Sequence, residues 1–157
     1  MEDKNKKSKL ELIFADDIMT DNVAIIKHDM NIGQVAHFML RARVSGCPVI
    51  DQNEKVIGLI TLTDLFKVLD TVFNESATVT GHSDSELLIE SIQAAKNRPI
   101  TEVMTKDIHF ISPDTSLSEI IGIVVKSKIH TFPVMEQEKL IGIIGRHDIL
   151  NATFVYG

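Results

Sequence analysis

The sequence has no tryptophan, one tyrosine, one cysteine, four prolines and eight glycines in 157 residues. A single thiol, Cys47, excludes a disulfide framework within the chain and suits a reducing compartment. Stability must then come from a buried core, and a chain of this size buries roughly two-thirds of the surface its unfolded form exposes. Aromatic residues make up 5%, too few for base-stacking platforms. Basic charge is also short: 16 Lys and Arg face 22 Asp and Glu, a net charge of −6, which argues against a nucleic-acid-binding face. No apolar run reaches the ~18 residues of a membrane helix. The lysine-rich start, with Lys4, Lys6, Lys7 and Lys9, reads as a solvated tail, and no apolar stretch of a secretory signal follows it. The six histidines form no His-x-x-x-His or His-Glu-x-x-His pair and the cysteine has no Cys partner, so no metal site is expected. Gly-x-Ser-x-Gly, Walker A and Rossmann fingerprints are absent, and no nucleophile–base pair stands out. The expectation is a soluble, cytoplasmic, non-enzymatic protein of one domain or two small ones.

What the sequence does contain is a duplication. With Met19-Thr20 laid over Met104-Thr105, Ile26 falls on Ile111, Asp29 on Asp114, Pro48-Val49 on Pro133-Val134 and Gln52 on Gln137. A gap at Asn53 then sets Glu54-Lys55 on Glu138-Lys139, Ile57-Gly58 on Ile141-Gly142, Ile60 on Ile144 and Asp64 on Asp148. Shared composition would align apolar residues, but not Pro, Gly and Asp in register.

Each copy reads as β-α-β-β-α. Val23–Ile26 and Ile108–Ile111 are short β-prone runs. Asn31 with Gln34, and Ser116 with Glu119, have capping-box spacing and predict helix starts. Behind them Ile32, Val35, Ala36, Met39 and Leu40, and Leu117, Ile120, Ile121, Val124 and Val125, recur at helical spacing. Apolar runs at 47–50 and 56–60 flank a polar turn and predict a hairpin, repeated around Glu136–Lys139. Proline at the start of the first hairpin strand suits a sheet edge, where a missing N–H costs no ladder bond. A second helix starts near Asp64. Between the copies, Asn74–Asp84 is polar and predicts a loop, and Ser85 opens a helix that ends before Pro99.

The chemistry of interest lies where strand meets helix. The copies read Gly58-Leu59-Ile60-Thr61-Leu62-Thr63-Asp64 and Gly142-Ile143-Ile144-Gly145-Arg146-His147-Asp148. A helix start leaves N–H groups unpaired and favours anions. An adjacent carboxylate accepts two hydrogen bonds from a vicinal diol, as an acidic residue does for ribose in dinucleotide folds. Thr61 and Thr63 offer hydroxyls to ribose or phosphate oxygens. The alternative is structural: Asp64 caps the helix that follows it.

With the leading Met-Thr, the mid-unit Pro-Val and the Gly-h-h-Thr-x-x-Asp run, where h is apolar, the chain resembles the CBS-domain family of tandem repeats, or Bateman modules. The resemblance covers both copies. It implies an α/β fold of two pseudo-twofold-related β-α-β-β-α units packed through their sheets. The boundaries would be a tail and leading segment at 1–14, repeat one at 15–72, a connecting loop and helix at 73–99, and repeat two at 100–157. It further implies crossed clefts. The first would join Thr61, Thr63 and Asp64 to Ile108, His109, Ile129, His130, Thr131 and Phe132, with His130 on a phosphate. The second would join Asp148 and Arg146 to a base wall of Thr20, Val23, Ala24, Val44, Ser45, Gly46 and Cys47. That cleft departs from the pattern, because Gly145 and His147 replace the two threonines; it is empty or suited to a different ligand. The implied ligand is AMP, ADP, ATP or S-adenosylmethionine as a regulator, with no required cofactor. The implied partners are a second copy in a homodimer and an unidentified regulated protein, with neither nucleic acid nor membrane. The alternative is a ligand-free assembly module that binds a protein partner.

Overall fold

Two cores organise the chain, and they do not follow the order of the repeats. The computed structural model describes residues 9–80 and 85–155. Residues 24–107 form one compact unit, here the inner unit; residues up to Val23 and from Ile108 onward form the other, the outer unit. The segment that leads repeat one therefore folds with the body of repeat two, and the segment that leads repeat two folds with the body of repeat one.

The inner unit runs β1 (Ile26–Lys27), α2 (Ile32–Ala42), β2 (Gly46–Ile50), β3 (Val56–Thr61), α3 (Leu62–Thr80) and α4 (Ser85–Lys96); α1 (Ala15–Ile18) belongs to the outer unit. Asn31 caps α2: its side chain accepts the Gln34 N–H at 2.8 Å, and the Gln34 side chain accepts the Asn31 N–H at 3.0 Å. Val35 and Met39 of the apolar stripe are fully buried with Ile26, Cys47, Val49, Ile60 and Ile100, whereas Leu40 is 72% exposed. The sheet order is β1-β2-β3, with β1 parallel to β2 and β3 antiparallel to it.

The outer unit adds to α1 the elements α5 (Leu117–Ser127), β4 (Phe132–Glu136), β5 (Lys139–Ile144) and α6 (Arg146–Phe154). Ser116 accepts the Glu119 N–H at 3.2 Å at the start of α5. Leu117, Ile120, Phe132, Val134, Ile144 and Ala15 form its core. Its sheet is the antiparallel pair β4-β5.

Three expectations require correction. The leading strands are shorter than the β-prone runs: β1 has two residues, and Ile111 makes one isolated parallel bridge to Val134. Ile111 donates to the Pro133 carbonyl at 3.1 Å and accepts from Met135 at 2.8 Å; one more pair, toward His109, would need an N–H that Pro133 lacks. Pro48 is not on an edge strand, since β2 is central. It stands opposite Leu59, whose N–H and C=O both turn away to Thr105, at 2.8 and 2.7 Å. No donor is needed there, and Pro133 opposite Ile143 repeats the arrangement with Thr20 at 2.9 and 3.0 Å. Finally, the stretch from Asn74 is helical as far as Thr80, because α3 continues to pair with α4. The buried Ser76 hydroxyl donates to the Val72 carbonyl at 2.9 Å and lies 3.5 Å from the Ser91 hydroxyl on α4, which satisfies a polar group the sequence places in a loop. Residues 81–84 of the expected loop, and most of the lysine-rich tail, lie outside the described residues.

The Met-Thr and Gly marks of the repeat are two halves of one contact. A Cβ on Gly58 would collide with Met104 Sδ, and one on Gly142 with Met19 Sδ. Gly142→Ala is expected to cost about 1–3 kcal/mol, the scale of overpacking. The Met19→Ala/Gly142→Ala pair should cost less than the sum of the two single changes, as read by urea denaturation. Additive costs would show that the methionine is not what the glycine accommodates.

Candidate functional site

Asp64 is the third residue of α3, and Thr61 closes β3 just before it. Its Oδ2 accepts the Thr61 N–H at 2.8 Å and the Thr61 hydroxyl at 3.0 Å, and the Asp64 N–H points back at that hydroxyl at 3.4 Å. Its Oδ1 accepts the Thr105 hydroxyl at 3.0 Å. Asp64 is 5% exposed, and its carboxylate is engaged by three donors. The capping role weighed from the sequence is therefore real, and it is combined with a tether to the leading segment.

Asp148 occupies the matching position of α6. Its Oδ2 accepts the Gly145 N–H at 2.8 Å and its Oδ1 accepts the Thr20 hydroxyl at 3.3 Å. Glycine has no hydroxyl, so half of the reciprocal cap is missing, and Asp148 is half-buried. Thr20, expected in the base wall of the second cleft, here donates its hydroxyl to Asp148 itself. Thr105 was not singled out, although it stands 85 positions after Thr20 in the same register, which is the signal that identifies it.

The other expected residues are distributed as follows. In the outer unit, His109 is exposed and sets its ring edge-on to Phe132, with centroids 6.0 Å apart and planes at 80°. Ile129, His130 and Thr131 are half-buried ahead of β4, Ile108 and Val23 are half-buried, and Arg146 opens α6 exposed. In the inner unit, Thr63 is exposed at the second position of α3, Ala24, Val44 and Gly46 are half-buried, and Ser45 is exposed, its carbonyl accepting the Leu62 N–H at 3.0 Å. Phe132 and Cys47, expected at the clefts, are instead fully buried core residues, whose side chains are spent on packing. Burial pushes the Cys47 thiol up to about 12, which keeps it protonated and unreactive. Among the described residues no cluster of three or more His, Cys, Asp or Glu is arranged to hold a metal ion, and no helix is long and apolar enough to cross a membrane.

The CBS-domain family model matches residues 15–71 and 100–154. Among curated proteins, an uncharacterized protein of Methanocaldococcus jannaschii is 26% identical, over 90% of this chain and 92% of its own length. Inosine-5′-monophosphate dehydrogenase of the same organism is 26% identical over 87% of this chain, which spans 23% of that enzyme. Solved structures that share the fold include two with bound adenosine compounds. CBSX2 in complex with AMP has a TM-score of 0.68 at 22% identity, covering 92% of this chain and 98% of that one. The CBS domain pair of a protein bound to 5′-methylthioadenosine and S-adenosyl-L-methionine has a TM-score of 0.69 at 18% identity, covering 92% and 98%.

The His130 imidazole is held below its ordinary 6.5, first by burial and then by the charge of Arg146. A depressed folded-state value means that the unfolded chain takes up this proton first. The contribution of His130 to stability is therefore present above 6.5 and is lost as pH falls from there through the folded value. An NMR titration should place its midpoint below 6.5, and Arg146→Ala should raise it only part of the way, because burial is the larger cause. A midpoint at or above the ordinary value would contradict this environment.

Proposed function

This chain belongs to the CBS-domain family, and from that premise we propose that it is a regulatory module that binds an adenosine-containing ligand, such as AMP, ADP, ATP or S-adenosylmethionine, without turning it over. The observation that carries the reading is the duplicated carboxylate at the third position of α3 and α6. In each copy a hydroxyl from a distant threonine already donates to Oδ1, at 3.0 Å for Asp64 and 3.3 Å for Asp148. This is the bond a ribose hydroxyl makes, in a setting where the adjacent helix start favours a phosphate. The complexes of similar fold with AMP and with S-adenosyl-L-methionine support the same ligand class.

Sensing follows from differential affinity. A ligand shifts a conformational equilibrium only by the difference between its affinities for the two states. A sugar hydroxyl that shares an aspartate with the threonine of the leading segment would change how that segment is held. A protein partner would read that change.

A second reading, assembly through a protein interface, is favoured by one feature. Leu40 and Phe66 are 72% and 68% exposed, and the residues in register with them in the other copy, Val125 and Leu150, are 77% and 54% exposed. Beside Leu40 and Phe66 an apolar cavity of about 450 Å³ runs between α2, α3 and α4. We place the homodimer contact on these helix faces. The two readings separate in calorimetry: AMP, ATP or S-adenosylmethionine should give a saturable heat with the purified chain. Silence with all three, at protein concentrations above about 100 μM where even weak sites register, would leave the assembly reading standing.

A further inference from the structure

The groove between α2, α3 and α4 lies wholly within the inner unit, and Asp64 does not line it. Its volume, about 450 Å³, falls within the range of small-molecule pockets. Its walls are hydrocarbon, from Ile32 and Ala36 of α2, Leu65 and Leu69 of α3, and Ile92 and Ala95 of α4. Leu40 and Phe66 line it and remain exposed, so the space opens to solvent. Nothing within these walls orients the polar atoms of a heterocycle. The body of a fitting ligand is therefore plain hydrocarbon.

Two polar side chains complete the lining, Lys96 and His37. Both are exposed, and among the described residues neither makes an ion pair or a side-chain hydrogen bond. Gly33 lets the Lys96 stem pack on α2: a Cβ there would stand 3.2 Å from Lys96 Cβ. His37 is one turn further along the same face of that helix. The stem of Lys96 thus adds to the apolar lining and carries its ammonium to the rim, beside an imidazole. A chain with a net charge of −6 gives an anion little general attraction, so a local unpaired ammonium decides where one is held. Hydrocarbon walls with a cation at the rim match an amphiphile with an acidic head.

The other copy is built differently at the same positions. The bridges Asn31–Pro99 and Phe14–Ser116 hold the two leading segments in one register against α2 and α5. There Ile121 stands where the groove has Ala36, and it packs against the outer core. Gly122 stands for His37, and Glu11 for Lys96. The repeat therefore accepts a larger side chain at the first position and requires neither polar group at the others. Open apolar space costs stability, and here it coincides with the unpaired ammonium. We propose that the groove binds a medium-chain fatty carboxylate, with its alkyl chain among the helices and its head at Lys96 and His37. This site goes beyond the nucleotide reading and does not depend on it.

The test is calorimetry on the full chain with octanoate, decanoate and decanol. Light scattering follows the oligomeric state, because Leu40 and Phe66 also belong to the face given to the homodimer. Decanoate should bind saturably, and each methylene removed should weaken binding about fourfold. Decanol should bind about tenfold or more weakly than decanoate, the scale of a hydrogen bond to a charged group. Ala36→Ile, the residue of the other copy, should fill the groove and abolish binding of both. Lys96→Glu changes only an exposed side chain, so it remains decisive if Ala36→Ile does not fold. It should weaken decanoate about tenfold or more and leave decanol unchanged. The proposal is overturned if decanoate gives no saturable binding up to about 1 mM, where even a weak site registers. It is overturned equally if decanol binds as tightly as decanoate, if Lys96→Glu leaves decanoate affinity intact, or if a folded Ala36→Ile binds as the wild type does. A dimer that excludes decanoate overturns it in favour of a second copy as the occupant.

Discussion

A carboxylate at the third position of a helix, bonded at once to the strand end before it and to a threonine far along the chain, is the constraint on which each unit depends. Asp64 reaches 41 residues forward to Thr105, and Asp148 reaches 128 residues back to Thr20. The same threonines pair with the outer edges of β3 and β5 through both backbone groups of Leu59 and Ile143. The methionine before each threonine lies over the hairpin glycine. Helix start, sheet edge and leading segment are thus held by one small group of contacts, used twice. Because the local bonds of the cap are short and the distant ones close long loops, the carboxylate converts a local feature into a tertiary one.

This arrangement explains why the marks of the repeat recur together. Glycine in the hairpin, methionine and threonine in the leading segment, proline opposite the bridged residue and aspartate after the strand are parts of one assembly. Proline is tolerated because the residue facing it spends its backbone groups on the threonine. The same proline limits the parallel leading strand, since the next pair would need its absent N–H. A residue that permits one contact thereby forbids another.

The two copies of the motif hold their folds with unequal sets of bonds. The aspartates share sequence register, helix position and a threonine donor. They differ by one hydroxyl, Thr61 against Gly145, and by the charges that follow it. That hydroxyl gives the Asp64 carboxylate three bonds where Asp148 has two.

The duplication, the order of elements in each copy, the Asn31 and Ser116 caps and the alignment of the two aspartates are legible in the sequence, because they depend on spacing and side-chain chemistry within a few residues. Thr20 and Asp148 could be placed together through the family resemblance, and Thr105 then follows by register. The helical course of residues 74–80 was not legible, since their polarity matches a loop until α4 provides a partner for Ser76. Nor was the exchange of leading segments between cores, or the central position of β2. Those depend on which edge of which sheet the segment meets, a choice made by packing and backbone pairing across long separations. Local pattern determined what each segment of this protein is; tertiary contact decided to which core it belongs.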